Sequence, residues 1–392
     1  MIAPPHPAAR PRIRAAVLLL TCLGAAGPTR ELWAENAIRV VYQQGDSRGE
    51  STGAVFAEDR SGGVCLLQED GELLLLSADE VVERADVAEP FQPLTEEQLT
   101  ERLQEELGER FAFYTTPHYV VAYDTSRAYA KWLSSLLERL HKAFVNYWQN
   151  EGLELEEPKF PLVVVVYADQ ASYRRASAEE LGGASGIIGY YSLTTNRVSM
   201  HDLTGTETRR NANDRTSLRE INRMVSRPEV APMVATIVHE ATHQVAFNTG
   251  MMSRFADLPL WLVEGMAIYF EAPDLSSGRG WRGIGKVNRP RLQEFQRGAR
   301  GWDSERLRAL VTSDQRLRDP NTAASAYAEA WALNYFLIKQ RPDAYRSYLK
   351  YLAGLAPFGE LPENQRIRDF EEYFGPIDDL SRDFFRAILR VD

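Results

Sequence analysis

Two cysteines in 392 residues leave this chain with almost no thiol chemistry. Cys22 falls in an N-terminal stretch that reads as removable, so Cys65 is left without a partner and no internal disulfide is expected. Core burial alone has to hold the fold, which a chain of this length permits. A basic excess is missing too. Lys and Arg number 45 against 55 Asp and Glu, for a formal net charge of −10. That balance argues against nucleic acid as a partner, because phosphate binding needs stripes of Lys and Arg. No internal repeat or long low-complexity tract is present. The most apolar run, Ala15–Leu20, falls short of the roughly 20 residues that a membrane span needs. Histidine is scarce, six in all, which makes the placement of two of them worth following.

The N-terminus has the three parts of a secretory signal. Arg10, Arg12 and Arg14 come first, the short apolar run follows, and Gly24, Ala25 and Ala26 provide a small-residue exit. Cleavage is expected after Ala26, giving an exported protein, periplasmic or extracellular, with no stable membrane span. Leu-Leu-Thr-Cys around Cys22 resembles a lipoprotein site, but Thr21 fits poorly the small residue preferred before the cysteine.

Beyond residue 36 the pattern divides. "IRVVYQ", "GAVFAED", "GVCLLQ" and "GELLLL" are short strand-like runs between Gly-rich turns, with Asp70-Gly71 as a hairpin. They predict a small β-rich module over 37–86, SH3-like or similar. A linker and a helix capped by Thr95 occupy 87–110. From 111 to 392, strands and helices alternate and then give way to helices. "PLVVVVYAD" reads as a buried strand, and the spacing of Tyr129, Leu133, Leu136, Leu140, Phe144 and Trp148 predicts a long amphipathic helix. The fold class expected is α+β: a mixed-sheet half, a helical half and a preceding all-β module.

"PMVATIVHEATHQVAF", residues 232–247, predicts a helix with Pro232 in its first turn and Gly250 at its end. Four residues of α-helix advance the side chain by about 400°, so His239 and His243 lie on one face and can clamp one ion. Glu240 is about 100° round from His239, outside the metal's immediate ligands but near a water held there, where it can take a proton. This is the H-E-x-x-H arrangement. Zinc wants a third protein ligand and an open fourth position. Glu264, 21 residues after His243 (264 − 243), is in the apolar run "WLVEGMAIYF", and a second antiparallel helix would bring it opposite the histidines. Gly265 allows a close helix contact.

"HEATHQ" followed by "WLVEGMAIYFE" resembles the gluzincin metallopeptidases, the thermolysin and zinc-aminopeptidase group, and within it uncharacterised bacterial exported families with a W-L-x-E-G segment. The similarity spans roughly residues 110 to 390, and only the two metal segments are specific. The resemblance implies a zincin-like fold, Zn²⁺ held by His239, His243 and Glu264, Glu240 as catalytic base, and a peptide or protein substrate. It also implies a Tyr or His from a later helix as oxyanion donor; Tyr327 is the candidate, with Tyr335 behind it. An edge strand within "GIIGYYSL" would carry the substrate backbone, with Gly189 leaving room for it. One position departs: where thermolysin-like members have an Asp that orients a histidine, this chain has Ile268, which leaves Glu271 or Asp257 as substitutes.

Plainer readings apply elsewhere. His118 and His201 lie in strand-like contexts and read as structural. His141 reads as surface or core edge on its helix, and Cys65 as a small buried apolar residue. Besides an exported zinc peptidase, the same residues allow an inactive zinc-containing scaffold or binding protein, or a hydrolase of a non-peptide cell-wall amide.

Overall fold

A computed structural model describes residues 37–59, 61–182, 186–205, 216–271, 283–359, 361–362 and 364–391. The export segment at 1–26, with Cys22, lies outside the described residues. What is described is α+β, with two sheets and a mostly helical C-terminal half. Among the described residues no helix is long and apolar enough to cross a membrane.

The N-terminal sheet is antiparallel, a meander of β1 (Ala37–Gln44), β2 (Ser47–Glu58), β3 (Val64–Gln68) and β4 (Leu73–Leu76) to which β5 (Val81–Asp86) returns beside β1, in the order β4-β3-β2-β1-β5. It is an open sheet, not a closed barrel. Ile38, Val40, Val64, Leu66 and Leu76 cluster on one face, while Ala54, Cys65, Leu67 and Leu73 pack with Phe160 on the other. The polar start of β2 and the charged β5 escape the hydrophobic pattern, since only their pairing with β1 makes them strands.

Helix α1 (Glu96–Leu107) starts at the expected cap: Thr95 Oγ1 accepts from the Gln98 N–H, and the Gln98 side chain accepts from the Thr95 N–H. The second sheet follows, built from β6 (Ala112–Thr115), β7 (Tyr119–Tyr123), β8 (Leu162–Tyr167), β9 (Gly189–Tyr191) and β10 (Val198–His201). Its order is β6-β7-β8-β10-β9, with β7, β8 and β10 parallel and the two outer strands antiparallel. Helix α2 (Arg127–Asn150) connects β7 to β8, and α3 (Gln170–Ala176) and α4 (Ala178–Leu181) lead on towards β9. Alternation sets the layers. Val120, Ala122, Val163 and Val165 face α1, while Tyr119, Val121, Leu162, Val164 and Val166 face α2 and the main core.

The helical half comprises α5 (Leu218–Val225), α6 (Ala231–Asn248), α7 (Leu260–Phe270), α8 (Arg289–Arg297), α9 (Ser304–Thr312), α10 (Gln315–Arg318), α11 (Ala323–Gln340), α12 (Pro342–Ala353), α13 (Gln365–Phe374) and α14 (Ile377–Ile388). The close contact at Gly265 is with α11. A Cβ there would come 2.1 Å from Asn334 Nδ2 and 2.4 Å from the Ala330 carbonyl. The wholly buried Asn334 ties three helices together, donating to the Trp261 carbonyl at 2.8 Å and accepting from the Tyr345 hydroxyl at 2.6 Å.

The β region is bonded into the rest. The Leu73 N–H donates to the Thr194 carbonyl at 2.8 Å. Arg254, buried, donates through Nη1 to the carbonyls of Gly71 and Leu193 at 3.0 and 3.2 Å. Arg197 bridges Glu72 and Glu106 at 2.5 and 2.6 Å. The Asp70-Gly71 turn, with Gly71 at φ +86°, thus rests against Phe160 and the β9–β10 turn.

Candidate metal centre

Helix α6 is apolar along most of its length, and its polar residues serve two purposes. Glu240, Gln244 and Asn248 recur at four-residue spacing and face the second sheet. The Tyr191 N–H of β9 donates to Glu240 Oε2 at 3.1 Å. Gln244 Nε2 donates to the carbonyls of Val163 and Asn196 at 2.9 and 3.0 Å. Asn248 and Asn196 exchange amide bonds at 2.7 and 2.9 Å, and the Tyr191 hydroxyl donates to Asn196 at 2.7 Å. These bonds fix the rotation of α6 and aim His239 and His243 at α7.

The three expected ligands meet there, all buried: His239 is 7% exposed, His243 1% and Glu264 2%. Nε2 of His239 lies 3.1 Å from Nε2 of His243 and 3.1 Å from Oε2 of Glu264, and the third edge of the triangle is 3.8 Å. Tetrahedral zinc with bonds of about 2.0–2.1 Å has ligand atoms about 3.3 Å apart. The imidazole rings stand edge-on, 4.7 Å between centroids at 87°, so both planes can contain one common point. The triad is one of two His/Glu groups among the described residues whose ligand atoms lie close enough for an ion.

The electrostatics separate the two glutamates. Burial raises both, but at Glu264 the positive charges around it and the His239 hydrogen bond together outweigh it and hold that carboxyl well below its usual range. At Glu240 burial wins and the carboxyl moves up, towards a proton acceptor. Burial opposes a charged His239, yet the Glu264 and Glu271 carboxylates outweigh it and push the imidazole up to about 9. Burial drives His243 the other way, well below the ordinary range.

Around the triad, several expectations are sorted out. Glu271, the cap residue of α7, places Oε2 3.6 Å from His239 Nδ1, where a carboxylate orients the ring, while Asn288 and Arg291 act on Glu271 in turn. Asp257 does not take this part; it pairs with Arg366, which also binds Asp314 at 2.8 Å. Tyr327 reaches the triad: burial first, and then the Glu264 carboxylate beside it, raise its hydroxyl far above the ordinary range. The Arg291 guanidinium lies 5.7 Å over its ring. Tyr335 packs among Tyr269 and Trp331. Gly189 does not open space for a substrate, because a Cβ there would come 3.0 Å from the Ser199 carbonyl and 3.1 Å from Met200 Cβ; the glycine serves the approach of β9 to β10.

A family model described as a protein of unknown function (DUF1570) matches residues 233–359. The match covers less than half of the chain, yet that stretch carries His239, Glu240, His243, Glu264, Glu271, Arg291 and Tyr327. No curated protein matches the chain.

Sequence reasoning missed the Gln244–Asn248–Asn196 network and Arg291. The spacing of Glu240, Gln244 and Asn248 was there to find, since three polar residues at i, i+4 and i+8 on an apolar helix need partners.

Proposed function

We propose that this protein is an exported, zinc-dependent peptidase of the gluzincin type. The observation that carries the reading is the triangle of Nε2, Nε2 and Oε2 atoms with edges of 3.1, 3.1 and 3.8 Å, beside the buried Glu240. Two imidazole nitrogens and one carboxylate are the donor set zinc takes in catalytic sites. Zinc held by His239, His243 and Glu264 would supply Lewis acidity, acidifying a water and polarising a carbonyl.

The chain's own groups supply the rest. Glu240, raised by burial and held at one oxygen by the Tyr191 N–H, accepts the water's proton and passes it to the leaving amine. Tyr327, its hydroxyl kept protonated by burial, donates to the oxygen of the attacked carbonyl. Glu271 keeps the His239 ring oriented. A substrate strand would run along β9, the outermost strand of its sheet, and the Tyr191 N–H would link its position to that of the base. Export rests on the pattern of residues 10–26.

The test is hydrolysis of unstructured peptides, read by mass spectrometry as new termini. Zinc-loaded wild type is expected to cleave, and Glu240→Gln to keep its zinc while losing about 10²–10⁴-fold in rate. Equal cleavage by the two proteins would remove Glu240 from the mechanism, and zinc binding with no cleavage of any peptide would favour a scaffold of the same fold.

A further inference from the structure

His118, His141 and Glu157 form the other close group of ligand atoms, all within 4.8 Å of one another, and the proposed peptidase chemistry makes no use of them. They come from three separate segments. His118 lies just before β7, His141 in the middle of α2, and Glu157 in the connection from α2 to β8.

Glu138 determines the state of His118. One of its oxygens accepts the His118 backbone N–H at 2.9 Å, and the other lies 2.7 Å from His118 Nδ1. A carboxylate held in this way puts the ring's proton on Nδ1 and leaves Nε2 with its lone pair, as in the carboxylate–histidine pairs behind metal ligands. That Nε2 lies 3.5 Å from Glu157 Oε2. Two acceptors at this distance call for a shared cation. A proton on His118 would serve these two, but the third member argues against that as a full account. His141 is 3% exposed, and its Nε2 is buried without a hydrogen-bond partner. An orphaned buried nitrogen of this kind is destabilising, and a proton shared by the other two does nothing for it.

We propose that His118, His141 and Glu157 bind a divalent cation of the zinc class, with water completing the site. The donor set, two imidazoles and one carboxylate, selects borderline metals over calcium or magnesium. The ion would pin the entry to β7 and the entry to β8 onto α2, and so acts as a clamp within the fold. The rings now stack, 4.0 Å between centroids at 29°. A metal lies in the plane of each imidazole it binds, so loading must turn one ring out of the stack, and Glu157, with a side chain 77% exposed, is free to follow.

The inference is independent of the peptidase reading. Its test uses the full chain carrying His239→Ala and His243→Ala, dialysed against micromolar zinc and analysed for bound metal. One zinc per chain is expected to remain. Adding Glu157→Ala should weaken that binding at least 10-fold, and adding His118→Ala should abolish it; the exposed Glu157 can be changed without disturbing the core. Wild type should hold two. No zinc in the double variant, or zinc that is insensitive to both Glu157→Ala and His118→Ala, would overturn the proposal.

Discussion

The two His–His–Glu groups share their donor atoms and differ in how those atoms are held. In the first, a four-residue helical step sets the histidines and a packed second helix sets the glutamate, and the rings already stand at 87°. In the second, one histidine is on a helix, the other two residues are on connections, and the rings stack at 29°. In the first all three residues are buried, whereas the Glu157 side chain of the second is 77% exposed. The difference teaches where preorganisation comes from: α6 is fastened to the sheet by Gln244 and Asn248 and α7 to α11 by Asn334, so binding there needs no rearrangement. At the second site, turning a ring and ordering a glutamate must be set against the binding energy.

Breaking the first site should have the largest effect. His243→Ala is expected to weaken zinc binding there by about 100-fold or more and to abolish hydrolysis, with the second site's zinc retained, as metal analysis beside activity would show. Tyr327→Phe should leave zinc content intact and lower kcat by about 10²–10³-fold, with little change in KM. The second site should reveal itself through acid. Burial, then the His118 charge, hold His141 down to about 4, with Glu157 and Glu138 opposing. The ordinary imidazole value is about 6.5, so the stability from a neutral His141 is complete above pH 6.5 and is lost as pH falls through about 4, up to roughly 3 kcal/mol. Urea unfolding of chelator-treated protein at pH 7 and pH 4 should show that loss, and His141→Gln should shrink it. The smallest effect expected is that of Glu271→Gln, a 10–100-fold weakening of zinc at the first site alone, read by competition with a chromophoric chelator.

Much of the first site was legible because helix spacing and an apolar context are local. His239, Glu240, His243 and Glu264 could be placed from residue order, as could the α+β division and the strands of alternating or continuous apolar residues. Polar segments that become strands only by pairing, such as Ser47–Ser51 and Val81–Asp86, carried no such pattern. Tyr327 came from the resemblance, and nothing local separates it from Tyr335 eight residues on. His118 reads as structural and His141 as surface or core edge from their neighbourhoods alone, because their approach depends on β7 lying beside α2, a long-range fact with no trace in either. Gly265 was marked for a close contact, but its partner, α11, starts 58 residues later (323 − 265).

Arg254 has a consequence for anyone who cuts this chain into pieces. Its guanidinium is buried and shares one nitrogen between a carbonyl of the β region and a carbonyl of the turn that leads into β10. Phe160 likewise has its packing partners in the β region. A fragment begun at residue 111 would uncover that ring and leave the arginine one acceptor short, beside the strand whose N–H steadies Glu240. The sensible boundary for expression is therefore ahead of Ala37, and a protease that removed the β region would strip the support from the β9–β10 turn.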